Sequence, residues 1–169
     1  MWNDTDRPLA YLISFRTHGT WLHGDPRGSI DRHRNRYNSP YIPPNNEWQS
    51  YSRRQMRGVP LILQARERRC VESAIRETSE IRQWLLLAVN ARTNHVHAVV
   101  DTDCVPERVL NAYKANATRL LRANRLWREA FSPWADKGSC RRLWNEQSVA
   151  RAVDYVLNGQ GFNLPDFDD

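Results

Sequence analysis

Asn94-His95-Val96-His97-Ala98-Val99-Val100 is the stretch on which the fold of this chain turns. Its β-branched content favours a strand, and along a strand side chains alternate between faces. His95 and His97 therefore share one face, while Val96, Ala98 and Val100 share the other. One face offers two imidazoles; the other offers core. Two neutral imidazoles at i and i+2 on a rigid strand can hold one cation at little ordering cost, and the same spacing also suits a solvated or structural pair.

Upstream, Trp84-Leu85-Leu86-Leu87-Ala88-Val89 is a continuous apolar run too short for a further helix, which predicts a buried central strand. Residues 90–94 then turn the chain, and the histidine strand returns as the second arm of a hairpin. Ahead of this hairpin a helix is predicted from residue 64 or 65 to 83. Val71, Ala74, Ile75, Thr78 and Ile81 recur along it at steps of three and four. A second helix is predicted over 106–124, with Asp103 as its N-cap and Val109, Leu110, Tyr113, Ala117, Leu120 and Leu121 as its apolar stripe. Residues 10–17 are dense in β-formers and predict the first strand; residues 139–144 predict the last.

Asn145 caps a final helix. At 100° per residue Val149, Val153, Val156 and Leu157 fall on one side of it, and Ser148, Arg151, Tyr155 and Asn158 on the other. Tyr155 is thus off the apolar seam, an unusual place for a ring that commonly builds cores. Gly159 and Gly161 end the helix, and the acidic tail over 162–169 is expected to fray. Strand, helix, strand, strand, helix, strand, helix is an α+β order. It predicts a ferredoxin-like or RRM-like antiparallel sheet with helices on one face and His95 and His97 on the other.

The 169 residues suffice for one domain. Mean hydropathy is low at -0.75, yet 40% hydrophobic residues and seven Trp supply a core. Lys and Arg number 25 against 19 Asp and Glu, a net charge of +6 with a pI near 9.6, and the only lysines are Lys114 and Lys137. The planar, bidentate guanidinium suits phosphate and stacks on bases, so nucleic acid is the favoured partner. Cys70, Cys104 and Cys140 form neither a disulfide framework nor a CxxC module, which fits a reducing cytoplasm. No segment is apolar enough to span a bilayer, so no membrane role is expected.

Residues 19–58 differ in texture and are expected to form an irregular insertion after the first strand. Gly24, Pro26, Gly28, Pro40, Pro43 and Pro44 break any period, and Arg27, Arg32, Arg34, Arg36, Arg53 and Arg54 alternate with Trp21, Tyr37, Tyr41, Trp48 and Tyr51. Arginines among aromatics suit a single strand, whose phosphates meet guanidinium and whose bases stack; the aromatics alternatively pack on the domain itself. His18, His23 and His33 read as loop histidines. On the second predicted helix Lys114, Thr118, Arg122 and Arg125 share a face that is either a phosphate-tracking stripe or an ordinary solvated surface. Arg151 adds a cation to the final helix.

His95-Val96-His97 resembles the His-hydrophobic-His signature of the HUH endonuclease superfamily. Asp154-Tyr155-Val156-Leu157-Asn158 resembles the tyrosine-bearing final helix of its single-tyrosine transposases, above all the REP-associated tyrosine transposases and related insertion-sequence transposases. Phe15-Arg16-Thr17, Gly19-Thr20-Trp21-Leu22 and Gly24-Asp25-Pro26-Arg27-Gly28 also have the look of one branch of that family. The resemblance runs over residues 10–161. It implies cleavage and transfer of single-stranded DNA carrying hairpins. His95 and His97 would hold a divalent ion, Mg²⁺ or Mn²⁺, against the scissile phosphate, and Tyr155 would attack to leave a 5′-phosphotyrosyl link and a free 3′-OH. It also allows a homodimer. The family places a third ligand four residues after the tyrosine, where this chain has Gly159; Asn158 or Gln160 would serve instead. A reading from another class stands beside it: an RRM-like module that binds single-stranded DNA or RNA without catalysis.

Overall fold

The computed structural model describes residues 6–20, 43–162 and 164. The candidate contacts Arg27, Arg32, Arg34 and Arg36 lie outside the described residues, as do residues 163 and 165–169 of the acidic tail. The elements in chain order are β1 (Ala10–Arg16), α1 (Asn46–Gln55), α2 (Ala65–Ile81), β2 (Leu85–Ala91), β3 (His95–Asp101), α3 (Pro106–Ala123), β4 (Ser139–Leu143) and α4 (Glu146–Asn158). The chain divides into two compact units, residues 18–61 and residues 1–17 with 62–169.

In the smaller unit, the expectation of an irregular segment is corrected at α1. Asn45 caps this helix by accepting the Trp48 amide at 2.9 Å, Glu47 lies in the first turn, and Arg53 and Arg54 lie in the last. Both charge placements complement the helix dipole, so the helix forms although it buries none of its residues.

The larger unit is built on a four-stranded antiparallel sheet ordered β2-β3-β1-β4. This is the predicted ferredoxin-like α+β plan. In register, Tyr11 faces Val100, Ile13 faces Ala98 and Phe15 faces Val96, so six buried side chains lie on one face. Val71, Ala74 and Ile75 of α2 and Val109, Tyr113 and Ala117 of α3, all buried, complete the core. Trp134 closes its edge against Phe15 at 4.9 Å, edge-on.

The expectation that helices cover one face holds for α2 and α3 but is corrected for α4. Ala10 and Leu12 of β1, Ala88, Val99 and Leu143 make an apolar patch on the histidine face, and Ala152 and Val156 of α4 bury it with Val149 and Val153. Apolar area of this kind is stabilised only when covered. Leu157, expected on the seam, is 53% exposed, and Ile81 of α2 is likewise exposed. β2 is an edge strand rather than a central one. Its interior character comes from cover on both faces, by α2 and by α4, while Leu85 and Leu87 project to solvent. Asp103 does not cap α3: Val105 holds that position without a side-chain bond, and Asp103 pairs with Arg7.

Asn145 does cap α4. Its Oδ1 accepts the Ser148 amide at 2.8 Å, and Ser148 Oγ accepts the Asn145 amide in return. Asn145→Ala is expected to cost about 1 kcal/mol, read as a lower urea midpoint with an unchanged slope.

Candidate active site

β3 lies between β1 and β2, so both neighbours fix its backbone and hold the two imidazoles 4.9 Å apart between ring centres. Ser14 stands directly across from His97, and its Oγ is 2.6 Å from His97 Nδ1. That contact leaves Nε2 of His97 as the nitrogen available to a ligand. His95 Nδ1 lies 2.7 Å from the Asn94 carboxamide oxygen, and His95 Nε2 lies 3.0 Å from Gln160 Oε1. The Gln160 amide nitrogen donates to the Tyr155 carbonyl at 3.0 Å, which is what turns its oxygen toward His95.

The two contacts of His95 have a chemical consequence. When Nδ1–H donates to Asn94, the Nε2 lone pair meets the Gln160 oxygen lone pairs at 3.0 Å. That is the separation of two adjacent ligands around an octahedral cation with bonds of about 2.1 Å. When the proton sits on Nε2 instead, it donates to Gln160 and the ring is satisfied without a cation. The donor set therefore fits a divalent ion. Among the described residues no third His, Cys, Asp or Glu joins the pair, and the Gln160 carboxamide oxygen is the polar atom that meets His95 Nε2.

Tyr155 meets this pair from α4. Its ring packs edge-on against His97, 5.4 Å between centres, and remains 44% exposed. Burial of Ala152 and Val156 seats the helix, and Asn90 of β2 fastens its end by donating to the Val156 carbonyl at 2.8 Å. Gly159 then lets the chain pass close to the tyrosine. A Cβ there would come within 2.8 Å of the Tyr155 carbonyl oxygen and 2.9 Å of its ring. Displaced by one position, Gln160 reaches His95 where a side chain at Gly159 would collide. Asn158 turns back to its own helix and donates to Asp154 at 2.9 Å.

A solved structure aligns with nearly the whole chain. It is a "putative transposase" of Deinococcus radiodurans R1, 12% identical, with a TM-score of 0.46 over 94% of this chain and 95% of that one. No family model matches the sequence, and no curated protein matches it. The site therefore rests on its own geometry.

Burial pushes His97 down to about 4, helped by the neighbouring His95 and by the Arg16 guanidinium. Burial lowers His95 as well, Gln160 raising it and Arg16 and Arg92 opposing. Both rings are neutral at pH 7, the form a metal takes. The same shift carries a stability consequence for the metal-free protein. Unfolded His97 protonates near its ordinary 6.5 and the folded ring only near 4. Its contribution is therefore whole above pH 6.5 and falls as pH drops to 4. Urea midpoints measured down this range are expected to decline less steeply for His97→Asn than for the native chain.

The sequence-predicted cations fare differently. Lys114 Nζ donates to the carbonyls of Ala135, at 2.9 Å, and Lys137, and burial lowers its pKa. Arg122 donates to the carbonyls of Glu129 and Ala130, each at 3.2 Å, and of Phe131 at 3.3 Å. Both thus tie α3 to the connection before β4. Arg151 is exposed on α4, and Arg53 and Arg54 are exposed on α1. Among the described residues no helix is long and apolar enough to cross a membrane. Sequence reasoning missed Ser14 and Asn94, whose roles depend on cross-strand register and a turn; the polar Ser14 inside the strand Ala10–Arg16 was the available signal.

Proposed function

We propose that this protein is a metal-dependent endonuclease and strand transferase of single-stranded DNA, a transposase of the HUH single-tyrosine kind. The observation that carries the reading is one piece of geometry: the Tyr155 ring lies against His97 while Gln160, from the end of the same helix, meets His95 Nε2. A phenol ring, two imidazoles and a carboxamide oxygen, from distant parts of the chain, are thus neighbours.

In this reading His95, His97 and Gln160 would hold Mg²⁺ or Mn²⁺, with Asn158, bonded to Asp154, outside the set. A bound ion draws charge from the phosphate oxygens and orients the phosphodiester. Ser14 and Asn94 accept the Nδ1 protons and keep the Nε2 lone pairs aimed inward. Tyr155, partly exposed with its ring beside His97, bonds through Oη to phosphorus as the P–O3′ bond breaks. The phenol proton passes to solvent and the departing 3′-oxygen takes one up. The 5′-phosphotyrosyl bond keeps the energy of the phosphodiester, so a second 3′-OH can reverse the step onto another strand. The DNA carries hairpins, the chain works in the cytoplasm, and a homodimer is an available assembly.

The test is incubation with labelled single-stranded hairpin DNA and Mn²⁺, followed by denaturing electrophoresis in SDS. A shifted, protein-linked label is expected, and EDTA is expected to remove it. Salt-dependent binding with neither adduct nor metal requirement would instead assign an RRM-like binding module, the state that the Nε2–H to Gln160 bond satisfies.

A further inference from the structure

α4 does not cover the whole of the histidine face. It crosses from Leu143 and Leu12 to Val99 and Ala88, and its end is fastened at Asn90 of β2. The corner left open is defined by the register of the sheet. His97, Ser14 and Ser139 form one row across β3, β1 and β4, and Val99, Leu12 and Arg141 form the next. Residues paired across antiparallel strands share a face, so Arg141 projects on the side of the imidazoles, two positions before the covered Leu143. Ser139 and Arg141 are both exposed. Arg151 stands one helical turn before Tyr155, on the flank of α4 that carries the phenol, and it too is exposed. Among the described residues neither guanidinium has a hydrogen-bond or ion-pair partner. The two rows contain no carboxylate, and Asp154, the acidic neighbour of Tyr155, accepts from Asn158. Adjacent strands stand about 4.8 Å apart and residues i and i+2 about 6.8 Å, which puts the Arg141 backbone roughly 12 Å from that of His97.

We infer that this open corner is the track of the strand being cut, which leaves His97 across β1 toward β4 with its phosphates held by Arg141 from the sheet and Arg151 from α4. The inference rests on the DNA reading of the His95, His97 and Tyr155 site and extends it along the strand. Charge complementarity selects the occupant: two guanidiniums and the Ser139 hydroxyl on one corner, with no carboxylate between them, suit a phosphate backbone. The span from His97 to Arg141 is about two to four nucleotides, given a rise of about 3.4 Å for a stacked strand and more for an extended one. Strand alternation supplies an internal control. Arg142, the next residue, is equally exposed but lies on the opposite face, paired with Tyr11.

The experiment measures binding of a fluorescent single-stranded oligonucleotide of about 16 nucleotides, with EDTA present, between about 50 and 200 mM salt. Arg141→Gln and Arg151→Gln are each expected to weaken binding about tenfold and to flatten the slope of log affinity against log salt by about 0.7, the signature of one lost phosphate contact. Arg141→Lys keeps the charge and is expected to restore the slope while recovering only part of the affinity. Arg142→Gln is expected to keep native affinity to within about twofold. Both arginines of the track are exposed, so urea midpoints are expected to stay at the native value and lost binding cannot be blamed on unfolding. With Mn²⁺ and saturating DNA, the Arg141→Gln chain is expected to form the tyrosine adduct within about twofold of the native rate, since the loss is one of binding alone. Native affinity and slope in Arg141→Gln, or an equal loss in Arg142→Gln, would overturn the track while leaving the tyrosine chemistry intact. Failure of the native chain to bind the oligonucleotide at all would remove the DNA reading and this inference together.

Discussion

Tyr155→Phe is expected to abolish the covalent protein–DNA adduct, by at least about 10³-fold in rate, while DNA and Mn²⁺ affinities stay within about twofold of the native values. The substitution removes one oxygen and keeps the ring that packs edge-on against His97 at 5.4 Å. Because Tyr155 is 44% exposed, the cost in stability is within about 0.5 kcal/mol, so lost adduct cannot be blamed on unfolding. Tyr113 offers no substitute nucleophile. It is fully buried in α3, its Oη is 2.8 Å from Ser79 Oγ, and burial raises its pKa to about 12. The check is the SDS-resistant band: its persistence in Tyr155→Phe assigns the chemistry to another residue.

The positions of Tyr155 and of the imidazole pair are legible in sequence because both follow from local periodicity, while their roles as nucleophile and metal ligands are what the resemblance implies. Alternation along β3 puts His95 and His97 together, and the helical repeat leaves Tyr155 off the seam formed by Val149, Val153 and Val156. The α+β element order and the β2–β3 hairpin are legible for a similar reason, since hairpin and helix punctuation leave few ways to connect four strands. What sequence leaves open depends on tertiary contact. An apolar run such as residues 84–89 shows that cover exists but not whether strands flank it, so an edge strand sheltered by α2 and α4 reads as a central one. Asp103 has the chemistry of a cap and a competing partner in Arg7, nearly a hundred positions away, which no local rule weighs. Lys114 and Arg122 show the same limit: their spacing makes a basic stripe, and the carbonyls they bind belong to a connection whose path sequence does not reveal.

The placement of α4 shows why both halves of the site arise from one packing event. The apolar half of the histidine face, Leu12, Ala88, Val99 and Leu143, needs a lid, and α4 supplies it. Once Ala152 and Val156 are seated, the helix repeat sets Tyr155 beside His97, and the Gly159 turn swings Gln160 onto His95. Core burial therefore positions Tyr155 and Gln160, the proposed nucleophile and third donor, together.

His97→Ala is expected to lower Mn²⁺ affinity by more than about 100-fold and to remove the adduct with it, since one of two imidazole donors is gone. The ligand set makes a sharper contrast available. Gln160→Ala is expected to weaken Mn²⁺ about tenfold, because a carboxamide is a weaker donor than imidazole and water can take its position. Asn158→Ala is expected to leave Mn²⁺ affinity unchanged, as its side chain is directed to Asp154. Titration calorimetry of the three variants orders them. The rank His97 above Gln160 above Asn158 follows from imidazole being the stronger donor and from Gln160, not Asn158, meeting His95 Nε2. A larger loss at Asn158 than at Gln160 would require the end of α4 to rotate when metal binds, and would move the third donor from the residue after Gly159 to the one before it.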